Sequence, residues 1–330
     1  MKGIVYTEFG SPEVLKIKEV AVPVPKDNQV LVKVIASSIE ISDYLRFLRS
    51  IDTGKTPLYI KIMDTFVFKV IHKVPGGDVA GIIEKVGKNV KLFKRGDAVY
   101  GTSGMIGAWA EYACCAEKDI CLKPVNITFE EAAAIPVAAP TALGAIKAAN
   151  IKADEQVLIS GASGGVGHFA VQLAKAYGAV VTGVCSERSI DTVKSIGADY
   201  VIDYNKEDFA TNGKKYDVII GVNGYRSIST FKKALADGGR YIVVGGMKQA
   251  MVGAISGPIR SIGSSKKMKG VALPMLKDKG FLFLNELIEA GKVKPMIDEV
   301  YSTLEIARAM HYIIKEHAKG KVAIRFNNEC

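Results

Sequence analysis

Short apolar runs separated by glycine and proline fill the first 125 residues. Met1-Lys2-Gly3-Ile4-Val5-Tyr6 reads as a strand from its start, with no separate apolar stretch or cleavage site, so no secretory signal is expected. Val30–Ile35 is an apolar run of strand type. Gly81–Gly87 is another, closed by glycine, and Gly96–Gly101 repeats the order turn, strand, turn. Many short strands of this kind predict an irregular barrel or sandwich. Residues 58–71 depart from the pattern. Ile62, Met63, Phe66, Val67 and Val70 share one helical stripe, with Lys61, Asp64 and Lys69 off it. The expectation is an amphipathic helix that packs on its own domain, covers a substrate, or lies on a membrane surface.

A boundary falls near residue 126. Thr128-Phe129-Glu130-Glu131 fits a capping box, in which a threonine N-cap and a glutamate three residues on satisfy each other's backbone amides. An alanine-rich helix follows and stops before Pro136. Pro140 suits the first position of a second helix, where no N–H is needed, and that helix runs to about Asn150. From residue 156 the pattern becomes strand, helix, strand. Gln156–Ser160, Ala179–Val184, Tyr200–Asp203, Asp217–Val222 and Gly239–Val244 are apolar strands. Gly165–Tyr177 and Asp191–Ile196 are helices ended by Gly178 and Gly197. Phe281–Glu289 reads as a further helix and Lys321–Phe326 as a last strand. The alternation predicts an α/β fold with a doubly wound parallel sheet beside the β-rich part.

The length, 330 residues, fits two domains at about 150 residues each. No apolar run reaches the ~18 residues of a membrane span. The formal charge of +10 favours anionic ligands and permits nucleic acid or a membrane surface. The lysine cluster Ser265-Lys266-Lys267-Met268-Lys269 reads as a solvated face, and no nucleic-acid-binding motif accompanies it. Neither nucleic acid nor membrane is expected as a partner. Five cysteines without a CxxC pair indicate neither a disulfide framework nor a zinc finger, so a reducing cytoplasm is expected.

The strongest chemical signal is Ser160-Gly161-Ala162-Ser163-Gly164-Gly165-Val166-Gly167, between a predicted strand and helix. A dinucleotide pyrophosphate needs a tight turn, backbone that approaches without a Cβ in the way, and a helix close on the sheet. The free amides and positive end of the helix then face the anion. Ala162, Gly164 and Gly167 occupy the three glycine positions of that fingerprint, with alanine in the first. The next strand ends Val184-Cys185-Ser186-Glu187-Arg188. An NAD site usually places there an acid that holds the ribose hydroxyls. Ser186 and Arg188 instead suit a 2′-phosphate, and Tyr204 suits an adenine wall. Glu187, if turned inward, favours NAD; the balance is for NADPH over NADH.

These residues, with Tyr6-Thr7-Glu8-Phe9-Gly10-Ser11-Pro12-Glu13, Pro75-Gly76-Gly77-Asp78-Val79-Ala80-Gly81, Phe93-Lys94-Arg95-Gly96-Asp97 and Gly197-Ala198-Asp199-Tyr200, resemble the zinc-free medium-chain dehydrogenases/reductases of the quinone oxidoreductase branch. The resemblance spans nearly the whole chain. It implies a GroES-like β-rich catalytic domain (residues 1–126 and 276–330) and a Rossmann NADP-binding domain (127–275), with the active site in the cleft. It also implies a homodimer joined near Gly270–Leu273. The zinc-holding positions of metal-containing relatives fall at Glu40, Gly77 and Val137. One ligand of three cannot hold zinc, so no metal is expected. Glu40 stands where zinc-free relatives typically have asparagine, in the segment Glu40-Ile41-Ser42-Asp43.

Without a Lewis acid, hydride delivery to a conjugated acceptor is the easier chemistry, since the acceptor delocalises its own developing charge. The expected activity is NADPH-dependent reduction of a quinone or α,β-unsaturated carbonyl. Glu40, Tyr44 and Tyr59 are the candidates facing the acceptor, with Arg46 nearby. The resemblance gives Thr141 a cofactor contact. Val222-Asn223 and Val244-Gly245, at two strand ends, lie where ribose and nicotinamide bind. The alternatives are a zinc-independent NAD(P)-dependent alcohol or carbonyl dehydrogenase, and a non-catalytic redox sensor or nucleic-acid binder.

Overall fold

The computed structural model describes residues 1–6, 10–43, 74–104, 106–222, 226–244, 265–270, 280–316 and 318–326. Contacts divide the chain into two compact units, residues 1–136 with 297–330, and residues 137–296.

The first unit is the predicted β-rich part. Its strands are β1 (Lys2–Tyr6), β2 (Leu15–Glu19), β3 (Gln29–Ile39), β4 (Asp78–Val86), β5 (Ala98–Thr102), β6 (Tyr112–Ala116) and β7 (Ile120–Leu122), followed by helix α1 (Phe129–Ala133). β3 is the hub. It pairs antiparallel with β4 and β6, and at its far end with the last strand of the chain. The inward residues Val30, Val32, Val34, Val79, Ile83 and Val99 bury fully, and Trp109 packs with them. α1 opens as expected. Glu131 N donates to Thr128 Oγ1 at 3.2 Å, and Thr128 N donates to Glu131 Oε2 at 2.8 Å.

The second unit contains α2 (Ala138–Ala149), β8 (Gln156–Ser160), α3 (Gly167–Ala176), β9 (Val180–Cys185), α4 (Ile190–Ser195), β10 (Tyr200–Asp203), β11 (Tyr216–Gly221), α5 (Ile228–Ala234), β12 (Leu235–Val243), β13 (Lys267–Gly270) and α6 (Phe281–Glu289). Its six described strands are all parallel, in the order β10-β9-β8-β11-β12-β13. The order reverses at β8, where the first strand meets β9 on one side and β11 on the other. A doubly wound sheet opens its ligand crevice at such a point, beyond the carboxyl ends of the strands. The chain then returns to the first unit as β14 (Ile297–Ser302), α7 (Ile306–Glu316) and β15 (Lys321–Arg325), and β15 pairs with β3.

Several boundaries differ from expectation for physical reasons. The units divide after Pro136 and Met296 rather than near 126 and 275. α1 packs on β3 and β4, and α6 buries Phe281, Leu284 and Ile288 within the second unit. Pro140 does not open α2. The helix starts at Ala138, because Val137 already has helical dihedrals, so Pro140 is its third residue. A proline is still tolerated in that first turn, where amides lack partners. α3 begins at Gly167, after a turn that occupies residues 161–166. The helix predicted over 58–71 lies outside the described residues, as do Tyr44, Arg46, Tyr59, Asn223 and Gly245.

Candidate functional site

The strand ends of the second unit line up at one level. Ser160 of β8 is in register with Val184 of β9 and Gly221 of β11, and Gly221 with Val243 of β12. The 161–167 turn, Ser186, Val222 and Val244 therefore all leave the sheet along the same edge. Val222 and Val244 are fixed there by backbone bonds, Val222 N donating to Ser160 O at 3.0 Å and Val244 N to Gly221 O at 2.9 Å.

The turn itself is made one residue earlier than the fingerprint suggested. Gly161, not Ala162, takes the left-handed conformation, with φ of +84°. Ala162 is buried, and both Gly161 N and Ala162 N donate to Val184 O at 3.0 Å, which anchors the turn to β9. Gly167 is the close-approach residue, since a Cβ there would lie 2.0 Å from Gly161 O. A Cβ on Gly164 would meet only Gly161 O, at an ordinary 3.6 Å, so its side-chain space is open. Among the described residues, the amides of Ser163, Gly165, Val166 and Gly167 have no protein acceptor. Together with the N-terminus of α3 they form a backbone cradle for an anion.

Two buried polar side chains of α3 tie it to its surroundings, and the first of them, His168, reaches the cradle. His168 Nδ1 is 3.1 Å from Gly164 O, and Met296 N donates to His168 Nε2 at 3.2 Å. An acceptor Nε2 requires the proton on Nδ1, so the ring is neutral and donates to Gly164 O. One turn on, Gln172 Nε2 donates to Lys294 O at 2.9 Å, and Lys294 N donates to Gln172 Oε1 at 2.7 Å. Sequence reasoning assigned no role to either residue.

At the end of β9, Cys185 is buried, and burial with the neighbouring Asp203 pushes its thiol up to about 11. It is therefore inert at neutral pH. Ser186 is half-buried and Arg188 exposed. Tyr204 follows β10, tied by its N–H to Cys185 O at 3.1 Å, with its ring half exposed. Glu187 makes an ion pair with Lys206, a residue the sequence reading passed over. The pairing raises the Lys206 ammonium above its ordinary value and offsets the acid that weighed toward NAD. Thr141 is buried in the first turns of α2. Its Oγ1 donates to Val137 O at 2.6 Å, so the hydroxyl is left as an acceptor.

The first unit contains a separate cluster of charge. Glu40 follows β3, and its N–H donates to Asp43 Oδ2 at 2.9 Å. Its carboxylate meets the ammonium of Lys321, at the start of β15. Lys321 Nζ is also 3.5 Å from Asp78 Oδ2, which accepts from Ser38 Oγ at 2.5 Å. Burial raises the Asp78 carboxyl to about 7; Lys321 opposes that rise and Glu40 adds to it. Burial disfavours the Lys321 charge, but Glu40 and Asp78 outweigh it and hold the ammonium above the ordinary lysine value. These residues do not fit zinc. Glu40 carries a lysine ammonium where a metal ligand's cation would sit, and Gly77 has no side chain. Among the described residues, no three His, Cys, Asp or Glu are arranged to hold a metal.

Residues 26–125 match the alcohol dehydrogenase GroES-like domain, and residues 196–324 the zinc-binding dehydrogenase family. The quinone oxidoreductase of Sus scrofa is 35% identical, over 97% of this chain and 95% of that protein. The chain belongs to the quinone oxidoreductase branch of the medium-chain dehydrogenases/reductases. A second member, the chloroplastic NADPH-dependent alkenal/one oxidoreductase of Arabidopsis thaliana, is 34% identical over 98% of this chain and 79% of its own. A solved quinone oxidoreductase from Coxiella burnetii superposes with a TM-score of 0.85 at 28% identity, covering 98% of this chain and 99% of that one. As a member of this branch the chain is an oxidoreductase, with a GroES-like part and a parallel α/β sheet. No helix among its described residues is long and apolar enough to cross a membrane.

Proposed function

We propose that this chain reduces quinones or α,β-unsaturated carbonyl compounds with NADPH and without a metal. The observation that carries this reading is the set of free amides at Ser163, Gly165, Val166 and Gly167, on the same sheet edge as Ser186, Arg188 and Lys206. Bound NADPH supplies the hydride. The turn amides bind its pyrophosphate. Ser186 donates to the 2′-phosphate, Arg188 and Lys206 neutralise it, and Tyr204 walls the adenine. Thr141, Val222 and Val244 orient the ribose and nicotinamide end, with Asn223 and Gly245 beside them. A relative named for NADPH and alkenals or alkenones supports both the cofactor and the acceptor class.

Glu40 faces the acceptor in this reading, with Tyr44 and Tyr59 as further contacts. Quinones and enones suit such a site because they spread the charge left by hydride addition over their own π-system, so the protein needs to position partners more than to supply a Lewis acid. The protein works as a homodimer in a reducing cytoplasm. Among the described strands β13 lies at one end of the parallel sheet, and the four described cysteines are free thiols. NADPH oxidation with a panel of quinones and enones tests the reading. Turnover with NADPH well above NADH supports it, and tight cofactor binding without turnover on any acceptor contradicts it.

A further inference from the structure

The cluster around Lys321 has an unusual charge balance. Three carboxylates, Glu40, Asp43 and Asp78, surround one ammonium, and Lys321, Asp78 and Asp43 are all buried. The ammonium touches Glu40 and stands off Asp78, so it cannot neutralise both. Asp43 Oδ2 is engaged by the Glu40 amide. Asp78 Oδ1 has no hydrogen-bond partner among the described residues, although Ser38 Oγ and Lys321 approach Oδ2. Fully ionised, the array carries two excess negative charges in a poorly hydrated site, which is costly. One retained proton on Asp78 halves that excess, and the raised Asp78 value agrees. The side chain of Glu40, 17% exposed, is the outlet of the chain, against 2% for Lys321 and 0% for Asp78.

We propose that Asp78, Lys321 and Glu40 form a proton relay that stores the proton consumed by the reduction and delivers it through Glu40 to the reduced acceptor. The proposal rests on the reductase reading above. Hydride addition supplies two electrons and one hydrogen, and leaves the acceptor as an enolate or hydroquinone anion that needs one proton. That anion forms its new C–H or O–H bond with the proton carried at Glu40 Oε1. The Glu40 carboxylate draws its proton from Lys321 Nζ, and Lys321 is reprotonated by the Asp78 carboxyl group, which approaches that nitrogen at 3.5 Å. Water restores the lost proton by the same path, and no oxidant or reductant beyond NADPH is required. Glu40 is the catalytic group; Lys321 and Asp78 act through it.

The test follows kcat against pH at saturating NADPH and a non-titrating enone, in H2O and D2O. It also follows the carboxylic-acid C=O stretch by infrared titration of the protein alone. Wild type is expected to lose kcat as pH rises through neutrality, with a solvent isotope effect and an acid band that disappears over the same range. D78N and K321Q are expected to lose that limb, to lower kcat by about a hundredfold, and to leave the NADPH KM unchanged; D78N also loses the band. An unchanged limb in either variant, with wild-type melting behaviour, overturns the relay. If both variants fail to fold, E40Q and the wild-type infrared titration decide, and the absence of a titrating acid band overturns it. No NADPH oxidation with any acceptor defeats the reductase reading and the delivery together. The infrared band then still reports whether the proton store exists, so the two failures are distinguishable.

Discussion

The Cβ that Gly167 lacks would lie 2.0 Å from the carbonyl oxygen of Gly161. The contact is backbone on one side and the first residue of α3 on the other, so neither can yield by a rotamer change. G167A must push α3 away from the β8 turn, at a cost of ~1–3 kcal/mol. It is expected to melt several degrees lower and to bind NADPH at least about tenfold more weakly. G164A provides the contrast. Its methyl meets only an ordinary contact within the protein, so melting stays near wild type, while NADPH affinity falls because the methyl occupies the cradle. Calorimetric melts and fluorescence titrations with NADPH check both, and equal NADPH affinity in G164A and wild type counts against a ligand there.

His168 reaches the same turn from inside. H168A leaves Met296 N without an acceptor in a partly buried setting, while Gly164 O loses its side-chain donor but keeps the backbone bond from residue 168. The loss expected is roughly 1–3 kcal/mol per unsatisfied group. The kinetic expectation is a raised NADPH KM with kcat largely retained, since the ring supports the cradle and touches no reacting atom.

Cofactor choice is expected to follow charge at the end of β9. R188A removes one charge-assisted contact to a 2′-phosphate. K206A removes another cation and also frees Glu187, which then repels the phosphate. Each is expected to lower kcat/KM for NADPH by about tenfold or more, on the scale of a ~1.5–3 kcal/mol charged hydrogen bond, and to leave NADH nearly unchanged. Placing an acid at the strand end, S186D, moves the preference further toward NADH.

The pH dependence of stability has two opposed parts. Burial works against the Glu155 carboxylate, but two hydrogen bonds from Arg240, at 2.6 and 2.8 Å, with that guanidinium's charge, hold Glu155 below its usual value. A depressed carboxyl contributes stability above its unfolded value and loses it as pH falls through the folded one. E155Q should therefore melt lower than wild type at neutral pH, with the gap closing in acid. Asp78 has the opposite sign. Its folded value is raised, so its contribution is present in acid and is lost as pH rises toward about 7. Melting of D78N is expected to fall less than wild type between mild acid and neutrality, a difference of a few degrees by scanning calorimetry.

Much of this arrangement is legible along the chain because its signals are local. Tyr200–Asp203 and Phe281–Glu289 have the predicted bounds, since glycines and polar residues punctuate clear periods. The Thr128–Glu131 capping box is readable for the same reason. The fingerprint located the turn but put its tight residue at Ala162. Several glycines lie within seven residues, and the one with left-handed dihedrals is fixed by the bonds to Val184 rather than by spacing. The Glu40–Lys321 pair was invisible. It joins residues 281 apart, brought together by β15 adding to β3, and a lone charge at a strand start leaves no pattern. Lys206 was missed because its partner Glu187 lies on a neighbouring strand end, 19 residues away.

Reduction by this protein is expected to proceed by hydride transfer from NADPH to the carbon of a conjugated acceptor. Its most direct measurement uses NADPH deuterated stereospecifically at the nicotinamide C4, with an enone as acceptor and mass spectrometry of the product. The expected result is one deuterium in the saturated ketone, at the carbon β to the carbonyl, from one of the two labelled epimers only. Product that carries no label from either epimer, or no saturated product at all, contradicts it.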